Sequence, residues 1–224
     1  EILYVRRDGA AFIAPFDLGS LEITGAAVPV LDGVQIGISI TMLAWSPSGT
    51  LIFVHGGGSN VNVELVRVGL DGSAHLVDST WTGTFNSMAL SPDGRRLAVG
   101  AGLGSGALSI WIKQLDHGPF SRLTFGGLDR RPAWSPDGKM VAFIRDSGFG
   151  GNVFGRLADG GGSDRLLVHL DKQLQEVTWS PDGKWLVVRT DNGSAGAGDI
   201  LAVHPTGDTT PVPLAVTQFT EIRP

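Results

Sequence analysis

The sequence predicts an all-β chain, a β-propeller of four-stranded antiparallel blades. Three observations predict it: one turn signature recurs at near-constant spacing, an apolar β-prone run follows each copy, and polar turns divide each interval into further strands. The signature stands at Ala44-Trp45-Ser46-Pro47-Ser48-Gly49, Ala89-Leu90-Ser91-Pro92-Asp93-Gly94, Ala133-Trp134-Ser135-Pro136-Asp137-Gly138 and Thr178-Trp179-Ser180-Pro181-Asp182-Gly183.

Each part of that turn has a physical reason. Serine caps the first position, proline presets the dihedral at the second, aspartate suits the third and glycine accepts positive φ at the end. The result is a hairpin joining the first strand of a unit to its second. Second strands are expected at Leu51 to Val54, Leu97 to Val99, Met140 to Ile144 and Trp185 to Val188. Gly/Asn/Ser-rich loops lead to third strands at Val63 to Val68, Leu108 to Ile112, Asn152 to Leu157 and Asp199 to Val203. The fourth segments, Ala74 to Val77, Arg122 to Thr124, Arg165 to Val168 and Val212 to Val216, are more polar. The last carries Pro213 and follows Pro211, and proline is tolerated at sheet edges, so these read as outer strands.

The first residues repeat the unit without its opening strand: Ile2 to Val5, Ala11 to Phe16 and Val28 to Leu31 match strands two, three and four. Gln218 to Pro224 match the lead-in Phe125 to Pro132 and stop where the next turn is due. One domain over residues 1–224 follows, with units at about 1–40, 41–85, 86–130, 131–174 and 175–224. That makes about five blades, or six if a blade is missing. The tail is placed to pair with Ile2 to Val5 and close the ring, which would remove bare strand edges. The opening at Glu1, inside a strand-like run, reads as a piece of something longer.

Composition narrows the function. A net charge of −5 over 224 residues offers no basic field for a phosphate backbone, which argues against nucleic acid as a partner. The absence of cysteine excludes disulfides, thiolate metal sites and a cysteine nucleophile, and leaves the redox compartment open. No apolar run approaches the roughly 18 residues a membrane-spanning helix needs, so membrane insertion of this segment is not expected.

The residue patterns offer little chemistry. Gly100 to Gly106 is glycine-rich but lacks the spacing of a dinucleotide fingerprint and any following Gly-Lys-Ser/Thr, so it reads as a loose connection. No Gly-x-Ser-x-Gly elbow occurs. The histidines His55, His75, His117, His169 and His204 fall about one to a unit, on loops and outer strands, without metal-pair spacing. The loops at Asp146-Ser147-Gly148 and Asp191-Asn192-Gly193-Ser194 lack the alternating carboxylates of a calcium loop and read as turns. Trp45, Trp134 and Trp179 repeat at one position and are expected as core wedges between blades. No metal and no cofactor is expected.

What remains is a central channel. Alignment on the turn serine places Met42, Ser87, Arg131 and Glu176 at one ring position, with Thr41, Asn86, Arg130 and Gln175 just before and Arg223 next. Asn86, Arg130, Arg131, Gln175, Glu176 and Arg223 are the candidate ligand-binding residues. Their mix of guanidinium, carboxylate and amide suits a peptide terminus, a carboxylate or an ordered water cluster. The competing reading is a wet, unoccupied channel mouth.

Trp134 to Phe143 and Trp179 to Val188 resemble the repeat of the TolB-type propeller family, a Trp-Ser-Pro-Asp-Gly-Lys turn followed by a Leu-Ala-Phe-like strand. Ser48 in place of aspartate and Leu90 in place of tryptophan depart from it. The opening Tyr4 to Gly9 with Pro15-Phe16-Asp17 is most similar to the propellers linked to bacterial kinases. The resemblance implies a non-catalytic propeller that binds a protein or peptide, or a small ligand in its channel, and a periplasmic or extracytoplasmic location. An accessory propeller of a prolyl-oligopeptidase-like hydrolase is the alternative. A propeller enzyme such as a lyase or lactonase would need histidines and carboxylates clustered in the channel, where the register places few.

Overall fold

The computed structural model describes residues 1–36, 42–55, 64–68, 73–77, 84–102, 107–116, 118, 120–146, 150–191 and 198–216. Every regular element among them is a strand, and all pairing is antiparallel. The chain divides into two compact units, one holding the strands up to Gly83 and the other those from Thr84 onward.

In the first unit, β1 (Ile2–Val5), β2 (Ala11–Ala14) and β5 (Val28–Leu31) form a three-stranded sheet in that order. A separate hairpin of β3 (Phe16–Asp17) and β4 (Glu22–Ile23) interrupts it. The next sheet is β6 (Leu43–Trp45), β7 (Leu51–His55), β8 (Glu64–Val68) and β9 (Ala74–Leu76). Ala11, Val34 and Phe53 form the buried centre of this unit, between its two main sheets, with Leu3, Val5, Leu31, Leu43 and Leu51 packed around them.

The second unit holds three four-stranded sheets. They are β10 (Thr84–Leu90), β11 (Arg96–Gly102), β12 (Ser109–Gln114) and β13 (Phe120–Arg122); β14 (Leu128–Trp134), β15 (Met140–Asp146), β16 (Gly151–Leu157) and β17 (Arg165–Leu170); and β18 (Gln173–Trp179), β19 (Leu186–Asp191), β20 (Ile200–Val203) and β21 (Val212–Ala215). The first strands sit side by side, β14 between β10 and β18. Five blades thus follow one another, the first with three strands, as the missing opening strand predicts.

The turns are built as the signature requires. Ser91, Ser135 and Ser180 each donate Oγ–H to the aspartate two residues on, at 2.5, 2.6 and 2.6 Å. Each Oγ also accepts the N–H five residues on, from Arg96, Met140 and Trp185, all at 2.9 Å. Gly94, Gly138 and Gly183 close the turns at φ of 68°, 66° and 70°. These bonds hold the carboxyls of Asp93, Asp137 and Asp182 below the usual carboxylate range, the serine hydroxyl being the main cause.

The core lies between neighbouring blades. Trp134, Val141 and Phe143 pack on Ala98, Ile110 and Ile112 of the preceding blade, and Ala142, Ile144 and Val153 pack on Leu174, Val177, Leu186 and Val188 of the following one. Trp134 is the expected wedge, and its Nε1–H donates to the Ala89 carbonyl one blade back at 3.0 Å. Trp179 is partly buried against its core, whereas Trp45 is 49% exposed and does not act as a wedge.

Three local expectations are corrected. The fourth strand of the third blade ends at Arg122, before Thr124, because the Thr124 hydroxyl replaces a backbone carbonyl and accepts the Ile110 N–H at 3.0 Å. His55 lies on the second strand of its blade instead of a loop or outer strand. The third strand of the first blade ends at Ala14 instead of Phe16, because Phe16 pairs with Ile23 in the β3–β4 hairpin. Pro29 and Pro213 both fall where the outer-strand register slips, as residues without an N–H should. The proposed closing pair at Gln218 to Pro224, together with His117 and Thr41, lies outside the described residues.

Candidate binding site on the inner strands

Each first strand of the second unit carries a β-bulge near its start, between Phe85 and Ser87, Arg130 and Ala133, and Leu174 and Glu176. A bulge takes a residue out of the ladder and frees its backbone groups for other partners. The residues skipped include Asn86, Arg131 and Gln175, which the turn-serine register also selects. Arg131 adopts φ of 56°, a left-handed conformation costly for a side chain-bearing residue.

That backbone is held from the preceding blade. The Arg131 N–H donates to Ser87 Oγ at 2.9 Å, and Ser87 is buried. Gly100 pairs with Ser87, and a Cβ there would approach that Oγ to 2.7 Å. A side chain at residue 100 would displace the acceptor that Arg131 uses.

The two arginines then reach in both directions. Arg130 grips Asp146 bidentately, Nε to Oδ2 at 2.7 Å and Nη2 to Oδ1 at 3.0 Å, a geometry that fixes the guanidinium plane. Its Nη2 also donates to the Leu174 carbonyl at 2.7 Å and its Nη1 to that of Gln175 at 3.3 Å, in the next blade. Arg131 Nε donates to the same Gln175 carbonyl at 3.0 Å, and its Nη1 reaches the Asn86 carbonyl at 3.5 Å. Arg131 therefore spans three blades.

The pattern repeats one blade on. Gln175 Nε2 donates to Asp191 Oδ2 at 3.0 Å, the counterpart of Arg130 on Asp146. Glu176 and Arg189 face each other at 3.6 Å, both mostly buried. Among the described residues, Asn86 Oδ1, Glu176 Oε2 and Arg189 Nε are buried without a hydrogen-bond partner. Three guanidiniums, of Arg130, Arg131 and Arg189, thus stand among the carboxylates of Asp146, Asp191 and Glu176. Such balance suits a ligand carrying both donors and acceptors, a peptide more than a bare anion.

Of the six residues expected from sequence, Asn86, Arg130, Arg131 and Gln175 are joined by these bonds, whereas Glu176 pairs with Arg189 across its own hairpin. Arg223 lies outside the described residues. Sequence reasoning passed over Asp146 and Asp191 as turn acids. Their shared place at the end of a second strand was the available signal. It also missed a buried clasp in the fourth blade: Arg145 holds Asp129 at 2.6 and 2.9 Å and Asp164 at 2.7 Å, and Arg156 holds Asp164 at 3.0 Å. Asp129 raises the Arg145 pKa further, so the clasp stays charged.

The TolB beta propeller domain matches residues 2–210. No curated protein matches the chain. TolB from Acinetobacter baumannii is 22% identical with a TM-score of 0.68, over 91% of this chain and 48% of its own. The chain therefore spans about half the length of that structure. A nidogen/laminin complex is 15% identical with a TM-score of 0.68, over 91% of this chain and 73% of that one. A prolyl endopeptidase is 19% identical with a TM-score of 0.58, over 76% and 28%. At these identities the likeness is one of fold.

Proposed function

This chain belongs to the TolB β-propeller domain family, and from that premise we propose that it is a non-catalytic binding module whose inner strands take a peptide segment of a protein partner. The observation that carries the reading is the charge-balanced cluster of the second unit, in which, among the described residues, Asn86 Oδ1 is buried without a hydrogen-bond partner and Glu176 Oε2 meets Arg189 Nε only at ion-pair distance, 3.6 Å. Unmet buried acceptors cost roughly 1–3 kcal/mol each, and a bound donor removes that cost. The likeness to a structure of a protein–protein complex, nidogen with laminin, supports the use of such a fold for docking. Location outside the cytoplasm belongs to the same reading and rests on the family alone.

The test is a displayed library of random peptides selected on the wild-type chain, followed by titration of the selected peptides against Arg131→Ala and Glu176→Gln. Loss of affinity by tenfold or more in both variants is expected. Peptides that bind both variants as tightly as the wild type would show that the cluster is structural only.

A second reading, an accessory propeller shaping access to a hydrolase, is favoured by the likeness to a prolyl endopeptidase. A sequence encoding an α/β-hydrolase beside this segment in its gene would decide for it.

A further inference from the structure

In a repeat protein, a segment that one repeat has and the others lack is not needed by the repeated geometry, and such insertions tend to carry binding. The connection between third and fourth strands shows one. It covers residues 15–27 in the first blade, against 69–73, 115–119, 158–164 and 204–211 in the others.

The inserted stretch is ordered. Phe16 pairs with Ile23 and Asp17 with Glu22, and the Thr24 N–H donates to the Pro15 carbonyl at 3.0 Å to close the base. Asp17 Oδ1 accepts from the Gly19 N–H at 2.9 Å, the Ser20 N–H at 2.7 Å and the Ser20 hydroxyl at 3.1 Å. These bonds fix the loop before any partner arrives, and the Ser20 N–H foremost among them lowers the Asp17 carboxyl pKa below its usual value.

The loop displays what a soluble turn avoids. Leu18 is 82% exposed, Leu21 71% and Ile23 57%. Leu21 moreover holds φ of 58°, where glycine or asparagine is favoured and a leucine is strained. A bulky apolar side chain kept in a costly conformation on a preorganised tip points to use. The exposed carboxylates of Asp17 and Glu22 flank the leucines, which complements a basic rim and opposes an anionic bilayer.

We infer that the β3–β4 hairpin is a docking tip that inserts Leu18 and Leu21 into an apolar pocket, rimmed by basic side chains, on a partner protein. It shares no residue with the inner-strand cluster and does not depend on that reading.

The experiment places a photo-crosslinking amino acid at Glu22 in the intact protein within its own cells. The captured protein is identified, purified and titrated against the wild-type chain, Leu18→Ser and Leu21→Asn. The expected result is at least a tenfold loss of affinity in both variants, an affinity that falls with added salt, and a thermal midpoint of Leu21→Asn no lower than wild type. Four outcomes would overturn the inference: no crosslinked protein; a captured protein that binds Leu18→Ser as tightly as wild type; Leu18-dependent self-association; or Leu18-dependent binding to vesicles of phosphatidylcholine and phosphatidylglycerol.

Discussion

The backbone N–H of Arg131 donates to Ser87 Oγ, 2.9 Å away, in the neighbouring blade. One hydroxyl thus supports a left-handed arginine, and the arginine in turn reaches the carbonyls of Asn86 and Gln175.

Ser87→Ala should lower stability by about 1 kcal/mol, since it removes the acceptor of the half-buried Arg131 N–H. Gly100→Ala should cost a similar amount, because the new methyl meets Ser87 Oγ. The two effects should not add: removing the hydroxyl also removes the clash, so the double variant should be more stable than the sum of the singles predicts. Urea unfolding of all four chains checks this, and strict additivity would contradict it.

Asp129→Ala should be the harsher change. Its carboxylate is fully buried and is the larger of the two anchors on Arg145, so truncation leaves a mostly buried guanidinium with Asp164 alone. A loss of about 3–5 kcal/mol is expected from breaking a buried pair on one side. Denaturant midpoints report it, and a change below about 1 kcal/mol would mean that Asp164 suffices.

The turn aspartates give a pH dependence of known sign. Folding holds Asp93, Asp137 and Asp182 below their ordinary pKa, so their contribution is complete above the ordinary carboxylate range and is lost as pH falls from there through their lowered folded values. Stability measured from pH 7 down to pH 3 should therefore fall, and a triple Asp→Asn variant should show a shallower fall. Parallel curves for the two proteins would contradict the assignment.

The repeat was legible because each turn uses the same local chemistry: Ser135 and Asp137 bond two residues apart, and nothing distant is needed to fix them. The candidate residues were legible for a related reason, since a constant period places equivalent side chains at equivalent heights. Other features were not. The pairing of Arg130 with Asp146 joins two strands, and the buried clasp of Arg145 on Asp129 depends on folding that no spacing announces. The β3–β4 hairpin escaped because Phe16 to Ile23 has only two paired positions, too few for an alternating pattern. Trp45 shows the reverse: its sequence position matches Trp134, yet its surroundings leave it half exposed.

The most direct test of the inner-strand site is to map a selected peptide by amide and side-chain NMR shifts. The largest changes should fall on the side-chain amides of Asn86 and Gln175 and on Arg131 Nε–H. Changes confined to the outer strands β13, β17 and β21, with those three signals unmoved, would contradict the account.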